Sequence, residues 1–144
     1  MKISTQNQLQ QLFLRVALAI TMLSAVADRF GLWGKNSNWG NWQNFESYTK
    51  KITSFLPESL SIVGAYSATL LELAFALLLI LGYKTKLATI GTGILLLMFA
   101  LSMNISLGIK APLDYSVWVG CAAAFLLAGQ NQYHFSLDNK FINQ

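Results

Sequence analysis

Four long apolar stretches, each with at most one charged residue, dominate the pattern of hydrophobic and polar positions along the chain. A helix of about 20 predominantly apolar residues is long enough to span the roughly 30 Å hydrocarbon core of a bilayer. The pattern therefore predicts an all-α fold, an integral membrane four-helix bundle formed by a single domain over residues 1–144. The expected spans are residues 9–27, 62–81, 87–109 and 111–129.

The first stretch also has features of a signal peptide, because Ala25, Val26 and Ala27 form an acceptable cleavage site. Its apolar residues, however, begin at Leu9, ahead of Arg15 rather than after it. We therefore expect this stretch to remain in the protein as the first span.

The segment between the first two spans, residues 28–61, has a helical pattern in its second half. Apolar and aromatic residues recur there at steps of three and four, opposite polar and charged residues. Because Trp and Tyr favour the headgroup region of a bilayer, we predict an amphipathic interfacial helix over residues 39–56. The alternative is a lid, with Trp39 and Trp42 covering a cavity that opens outward.

Composition supports a membrane protein and excludes several other classes. Charged residues make up 11% of the chain, against about 25% in ordinary soluble domains. The net charge of +4 contains no block of like charges, so we expect no nucleic-acid binding. Cys121 is the only cysteine, which excludes an intrachain disulfide or a cysteine metal cluster, and we expect it to be a packing residue. His134 has no partners at ligand spacing, so we predict no metal site.

The short turn between the second and third spans, residues 82–86, contains Lys84 and Lys86. Cytoplasmic loops of membrane proteins carry an excess of Lys and Arg. This turn is therefore expected on the cytoplasmic side, and the alternation of the spans places both the N- and C-termini there as well.

Glu72 lies halfway along the second span, near the membrane midplane. A carboxylate at a helix centre costs roughly 2.5–3.5 kcal/mol on insertion scales, so it normally has a partner. Arg15 lies about 9 Å deep and Glu72 about 15 Å deep from the same membrane face, a gap that an extended arginine can bridge. We predict a buried Arg15–Glu72 ion pair, which either fixes helix register or forms part of a ligand site.

Other polar residues lie nearer the opposite face. Asn104, in the third span, is expected to bond a neighbouring helix or to contact a ligand. Asp28 and Arg29 end the first span and Asp114 begins the fourth, so we predict a polar rim at the mouth of the bundle. Small residues at four-residue steps in the fourth span predict close helix packing.

The order and spacing of these features resemble the DoxX family of small four-span bacterial membrane proteins. The resemblance rests on Arg15 early in the first span, on Glu72, on the segment Leu-Leu-Leu-Ile-Leu-Gly-Tyr-Lys-Thr-Lys at residues 77–86, and on Ser-Leu-Asp at residues 136–138. It extends over nearly the whole chain. Many members have a glycine and a lysine at the end of the first span, where this chain has Ala25, Ala27, Asp28 and Arg29, so it resembles a divergent branch with a Trp-rich loop.

The resemblance implies a multi-pass protein of the bacterial inner membrane. Some members are similar to the membrane subunit of thiosulfate:quinone oxidoreductase, and others are associated with redox assemblies. This implies a subunit that binds a quinone as cofactor and works with a redox partner protein. Its ligand-binding residues are then expected among Arg15, Glu72, Asn104, Trp39 and Trp42. Two alternatives remain, a non-catalytic membrane partner that stabilises another protein and a small-solute or proton pathway. The catalytic residues, the existence of catalysis and the oligomeric state stay open.

Overall fold

A computed structural model describes residues 5–142, and every regular element in that range is helical. The predicted all-α fold is therefore confirmed. The elements in chain order are α1 (Thr5–Arg29), a short 3₁₀ turn (Gly34–Asn36), α2 (Trp42–Ile52), α3 (Glu58–Leu81), α4 (Thr85–Leu107), α5 (Lys110–Asp114), α6 (Val117–Ala128) and α7 (Leu137–Ile142).

Three of these helices, α1, α3 and α4, are long and apolar enough to cross a membrane. With 23 to 25 residues each, they extend over roughly 35 Å. Their outward-facing side chains are large and apolar, and Leu70, Leu87 and Ile105 are each more than 60% exposed. In water such a surface would be costly, whereas a bilayer solvates it.

The fourth expected span, residues 111–129, differs from a continuous helix. It is divided into α5 and α6 at Ser116, whose backbone lies in the left-handed region at φ 55°. Asp114 is paired with Lys110 on the exposed side of α5, so this first turn keeps its charges at the surface. The apolar part, α6, has only 12 residues and is about 18 Å long.

The core lies between α1, α3, α4 and α6 and consists mainly of small side chains. Ala19, Ala76, Ala88 and Ala124 are fully buried, which lets the helix backbones approach closely. The Cys121 thiol is buried beside α4 and donates a hydrogen bond to the Gly93 carbonyl at 3.4 Å. These contacts agree with the packing roles expected for Cys121 and for the small residues of the fourth span.

The amphipathic helix α2 is shorter than the expected 39–56 range. It begins after Asn41, whose side chain accepts a hydrogen bond from the Asn44 backbone N–H at 2.9 Å. It buries Phe45, Thr49 and Ile52, and it packs against α3 and α4. The segment after it is a turn that leads to Pro57, so the helical pattern of the sequence extends one turn beyond the helix.

The chain after α6 folds back over one end of the bundle and binds both α1 and the α3–α4 turn. Gln11 donates to the Gln132 carbonyl at 2.6 Å and accepts from the His134 N–H at 2.8 Å. Asp138 accepts hydrogen bonds from the N–H groups of Lys84 and Thr85, both at 2.7 Å, and so caps α4. We call residues 130–138 the tail clasp.

Candidate functional site around Arg29 and Glu72

Glu72 forms a buried ion pair with Arg29, the last residue of α1. The bond joins Arg29 Nη2 to Glu72 Oε2, and the two side chains are only 2% and 5% exposed. Arg29 Nη1 donates a second hydrogen bond to Thr69 Oγ1 at 2.6 Å, and that hydroxyl donates in turn to the Ala65 carbonyl at 2.8 Å. The guanidinium therefore holds one turn of α3 through two of its nitrogens.

Arg29 reaches Glu72 because of the direction in which helical side chains point. Each Cα–Cβ bond in a helix is tilted toward the N-terminus, so an arginine at the end of α1 extends back along its own helix. Since α1 and α3 are antiparallel, this carries the Arg29 guanidinium away from the end of α1 toward the middle of α3. Glu72 lies nine residues, roughly 14 Å, from the end of α3 at Leu81.

The predicted Arg15–Glu72 ion pair is therefore corrected. Arg15 is fully buried, but its Nη1 and Nη2 donate to the carbonyls of His134 and Phe135 in the tail clasp, at 3.1 and 2.6 Å. The depths of the two residues allow a bridge of roughly 6 Å, but depth carries no information about direction. The Arg15 side chain points toward the N-terminus of α1, which is the direction opposite to Glu72.

An aromatic cover encloses the Arg29 guanidinium. The Phe45 ring lies 3.9 Å from the guanidinium carbon and the Trp39 ring lies 5.8 Å from it, both within the range of cation–π attraction. Trp39 and Phe45 also contact each other edge to face, with ring centroids 5.1 Å apart. Trp42 extends the cover, because its ring lies 4.5 Å from Tyr66 on α3 and 5.5 Å from Phe45.

The predicted polar rim of Asp28, Arg29 and Asp114 is also corrected. Asp28 is buried and shapes the loop before α2, since its carboxylate accepts hydrogen bonds from the N–H groups of Asn38 and Gly40 at 3.0 and 3.4 Å. This loop carries Trp39 onto Arg29. Asp114 is paired with Lys110 on the surface instead. The neighbouring residues Asp28 and Arg29 thus have separate roles, since Asp28 orders the loop before α2 and Arg29 forms the buried ion pair.

Asn104, the other expected ligand residue, lies near the end of α4, and its carbonyl accepts the hydrogen bond that ends this helix. Among the residues that the structure describes, its side chain makes no hydrogen bond to Arg29 or Glu72. Of the five expected ligand residues, the structure brings together Glu72, Trp39 and Trp42. Thr69 and Phe45 also belong to the site and were not expected there, although the helical pattern of the loop places Phe45 on the apolar face of α2.

Polar contacts attach α2, and with it the cover, to the rest of the bundle. Lys50 binds Glu46 at 3.0 Å and Glu58 at 2.8 Å, linking α2 to the first turn of α3. These hydrogen bonds raise the pKa of Lys50 above its usual value, with Glu58 the larger cause. Burial raises the pKa of the Tyr48 phenol, whose ring lies tilted against Trp39 with the ring centroids 5.7 Å apart.

The pair leaves one nitrogen of the Arg29 guanidinium without a protein partner. Arg29 Nε is buried and has no hydrogen-bond acceptor. The buried Glu72 Oε2 contacts Arg29 Nη2 in the ion pair and has no further donor among the residues that the structure describes. A buried donor without an acceptor is costly and rare in folded proteins. The site thus offers one free N–H donor, Arg29 Nε, beneath an aromatic cover.

Comparison with known protein families gives a match over most of the chain. A family model described as DoxX matches residues 10–105, a range that includes Arg29, the aromatic cover, Glu72 and Asn104. Neither the curated proteins nor the solved structures contain a match to this chain. Because the matched range covers well over half of the 144 residues and contains most of all three long apolar helices, the chain is a membrane protein that belongs to the DoxX family.

Proposed function

We propose that this chain is the quinone-binding subunit of a membrane redox system, with the quinone ring held at the Arg29–Glu72 centre. The observation that carries the proposal is the buried Arg29 guanidinium, which keeps an N–H without an acceptor beneath aromatic rings in a membrane domain. A quinone carries two carbonyl oxygens on a flat, apolar ring. Its oxygens suit the free donor, and its ring suits the faces of Phe45 and Trp39.

Each residue of the site has a separate task in this proposal. Arg29 donates to a ring oxygen, and Glu72 together with Thr69 holds the guanidinium in place. Reduction of a quinone takes up two electrons and two protons. In this proposal the Glu72 carboxylate would exchange protons with the ring, and the electrons would come from a partner protein with its own redox cofactor, since this chain has one cysteine and no cysteine cluster.

Access to the centre requires movement of the aromatic cover, because Arg29 and Glu72 are almost completely buried. The loop of residues 30–41 and the helix α2 form the cover and belong to no long apolar helix. Lys50 attaches α2 to the start of α3 through exposed ion pairs, which contribute little stability each. Opening of α2 would also break the hydrogen bond from Ser106 to the Ile52 carbonyl and the packing of Phe45 and Ile52, but it would leave the core between α1, α3 and α4 in place.

The proposal includes a bacterial inner-membrane location with both termini in the cytoplasm. Lys84 and Lys86 in the α3–α4 turn support this orientation by the positive-inside rule. The aromatic cover then faces the opposite side of the membrane. A fluorescent protein fused to the C-terminus should be bright, while a fused alkaline phosphatase should be inactive, and the reverse result would invert the topology.

The test is extraction of the chain in mild detergent, chromatography of its lipid extract for quinone, and titration of the stripped protein with a short-chain quinone. Quinones quench tryptophan fluorescence at contact distance, so Trp39→Phe should remove most of the quenching. Trp118→Phe, which alters a half-buried tryptophan in α6, is the matched control and should leave it. A protein that contains no quinone and shows equal quenching in both variants would refute the proposal.

A second candidate is a non-catalytic membrane partner, favoured by the same enclosure that makes access difficult. In this candidate the buried ion pair between α1 and α3 has one role, which is to fix the arrangement of the two helices, and it binds no ligand. In that case affinity purification at native expression should recover a second protein in a fixed ratio, and that ratio should be unchanged when bound quinone is absent.

A further inference from the structure

A groove of about 630 Å³ lies at the opposite end of the bundle from Trp39, between the α3–α4 turn and the tail clasp. Residues 83–87 line one side of it, and Asn131, Gln132 and Tyr133 line the other. Because the turn joins two membrane-length helices, the groove lies at the level where the hydrocarbon core meets the headgroups. This site is separate from the Arg29–Glu72 centre.

The groove carries net positive charge. Lys84 and Lys86 are exposed, and among the described residues neither forms a salt bridge. Asp138 also borders the groove, but both of its carboxylate oxygens accept backbone N–H groups at the start of α4. Its carboxylate therefore faces the helix end, which carries partial positive charge, and forms no salt bridge with either lysine, so the two ammonium groups outnumber the one carboxylate in the groove.

Lys84 occupies this position against the preference of its backbone. Its φ of 47° lies in the left-handed region, where glycine or asparagine is favoured and a lysine is strained. Strained residues concentrate at functional sites, where the surrounding structure holds them in place. Here the Asp138 carboxylate holds the Lys84 N–H.

An apolar surface continues from the groove along α4. Leu87 lines the groove, and beyond it Ile94, Met98, Leu101 and Ile105 are exposed at steps of three, four and seven residues on one face of the helix. These residues cover about 27 Å of helix length. A ligand with an anionic head in the groove and an acyl chain along this face would match both features.

We propose that the groove is a binding site for the phosphate headgroup of an anionic glycerophospholipid, whose acyl chain lies along α4. Lys84 and Lys86 bind the phosphate, and the side-chain amides of Asn131 and Gln132 donate to its ester and glycerol oxygens. Phosphate alone offers the same charge chemistry, but only a lipid uses the apolar face that begins at Leu87. The bound lipid would also brace the tail clasp against the α3–α4 turn.

The experiment is native mass spectrometry of the delipidated full chain in an uncharged detergent, titrated with dioleoyl phosphatidylglycerol or dioleoyl phosphatidylcholine. Each cation near an anionic lipid surface is worth about a fivefold change in affinity, so Lys84→Gly with Lys86→Gln should weaken phosphatidylglycerol binding about thirtyfold. Lys84→Gly relaxes the strained backbone and retains the N–H bound by Asp138. We therefore expect the variant to keep the wild-type fold, which its helical circular dichroism spectrum and thermal unfolding midpoint check.

Matched controls separate this site from general charge attraction. Lys35→Gln with Lys51→Gln removes two exposed cations near the other end of the bundle and should leave phosphatidylglycerol binding unchanged. The proposal would be overturned if the wild type bound phosphatidylglycerol and phosphatidylcholine equally. It would also be overturned if the Lys35 and Lys51 variant lost as much phosphatidylglycerol binding as the Lys84 and Lys86 variant. Displacement of the lipid by millimolar glycerol 3-phosphate would assign the groove to a soluble phosphate and would equally overturn the lipid assignment.

Discussion

Replacement of one member of the Arg29–Glu72 pair should destabilise the protein more than replacement of both. Glu72→Gln leaves a buried guanidinium without its counter-ion, and Arg29→Met leaves a buried carboxylate. Removal of one partner of a buried pair costs about 3–5 kcal/mol, whereas replacement of both by apolar side chains is often nearly neutral. The double change Arg29→Met with Glu72→Leu still loses the charged hydrogen bond to Thr69, so we expect it to cost about 2 kcal/mol.

The single cysteine supplies the assay. Cys121 is buried in α6, so a thiol-reactive dye labels it only when the bundle opens. When reclosing is faster than labelling, the labelling rate follows the population of the open form. A free-energy change of about 1.4 kcal/mol corresponds to a factor of ten in this population, so each single change should increase the labelling rate by a factor of about one hundred to several thousand. The double change should accelerate it only about thirtyfold.

The control replaces Arg15, the partner of Glu72 that depth along the helices suggests. Arg15→Met with Glu72→Leu removes the carboxylate but leaves Arg29 buried and unpaired, so its labelling should be at least as fast as that of either single variant at the pair. Should this variant instead be the slowest of the set, the assignment of Arg29 as the partner of Glu72 would be wrong. If the labelling rate of Cys121 increased less than about fivefold in both single variants, water would already screen the Arg29–Glu72 pair and the predicted destabilisation would be wrong.

Two further predictions concern glycines at close approaches. Gly82→Ala should cost about 2 kcal/mol or more, because a Cβ atom there would lie 2.4 Å from Ser136 Cβ and the backbone φ of +64° already disfavours alanine. Chymotrypsin should then cleave the tail clasp faster than in the wild type. Gly91→Ala would place a Cβ 2.3 Å from the tip of the Phe75 ring and should cost about 1–3 kcal/mol in the dye assay. Gly64→Ala meets open space and should be neutral or stabilising by up to about 1 kcal/mol.

The membrane helices could be predicted from the sequence because their signal is long and local. An apolar run of 20 or more residues has few alternative structures, and α3 and α4 follow their predicted ranges closely. The fourth span was less predictable, since Ser116 interrupts it with a single left-handed residue that leaves no periodic signal. The isolated charge at Glu72 correctly indicated a paired, buried acid.

The partner of Glu72 could not be predicted from depth along the helices. Depth favoured Arg15, because Arg29 lies beyond the far end of the expected first span, about 15 Å from the level of Glu72. The tilt of helical side chains argues against Arg15, but it does not by itself bring Arg29 within reach. The tail clasp could not be predicted either. Arg15 binds two backbone carbonyls there, and a carbonyl is present at every residue, so no residue type marks its partners.

The tilt of helical side chains toward the N-terminus accounts for the contacts of both Arg15 and Arg29 in α1. Each guanidinium extends toward the N-terminus of the helix, which takes Arg29 from the end of α1 back to Glu72 and takes Arg15 out of the bundle into the tail clasp. Helix α2 packs against α3 and contacts α1, and it brings the aromatic cover to the ion pair. The side-chain direction at the end of α1 and the packing of α2 on α3 together therefore enclose the Arg29 guanidinium between Glu72 and the cover.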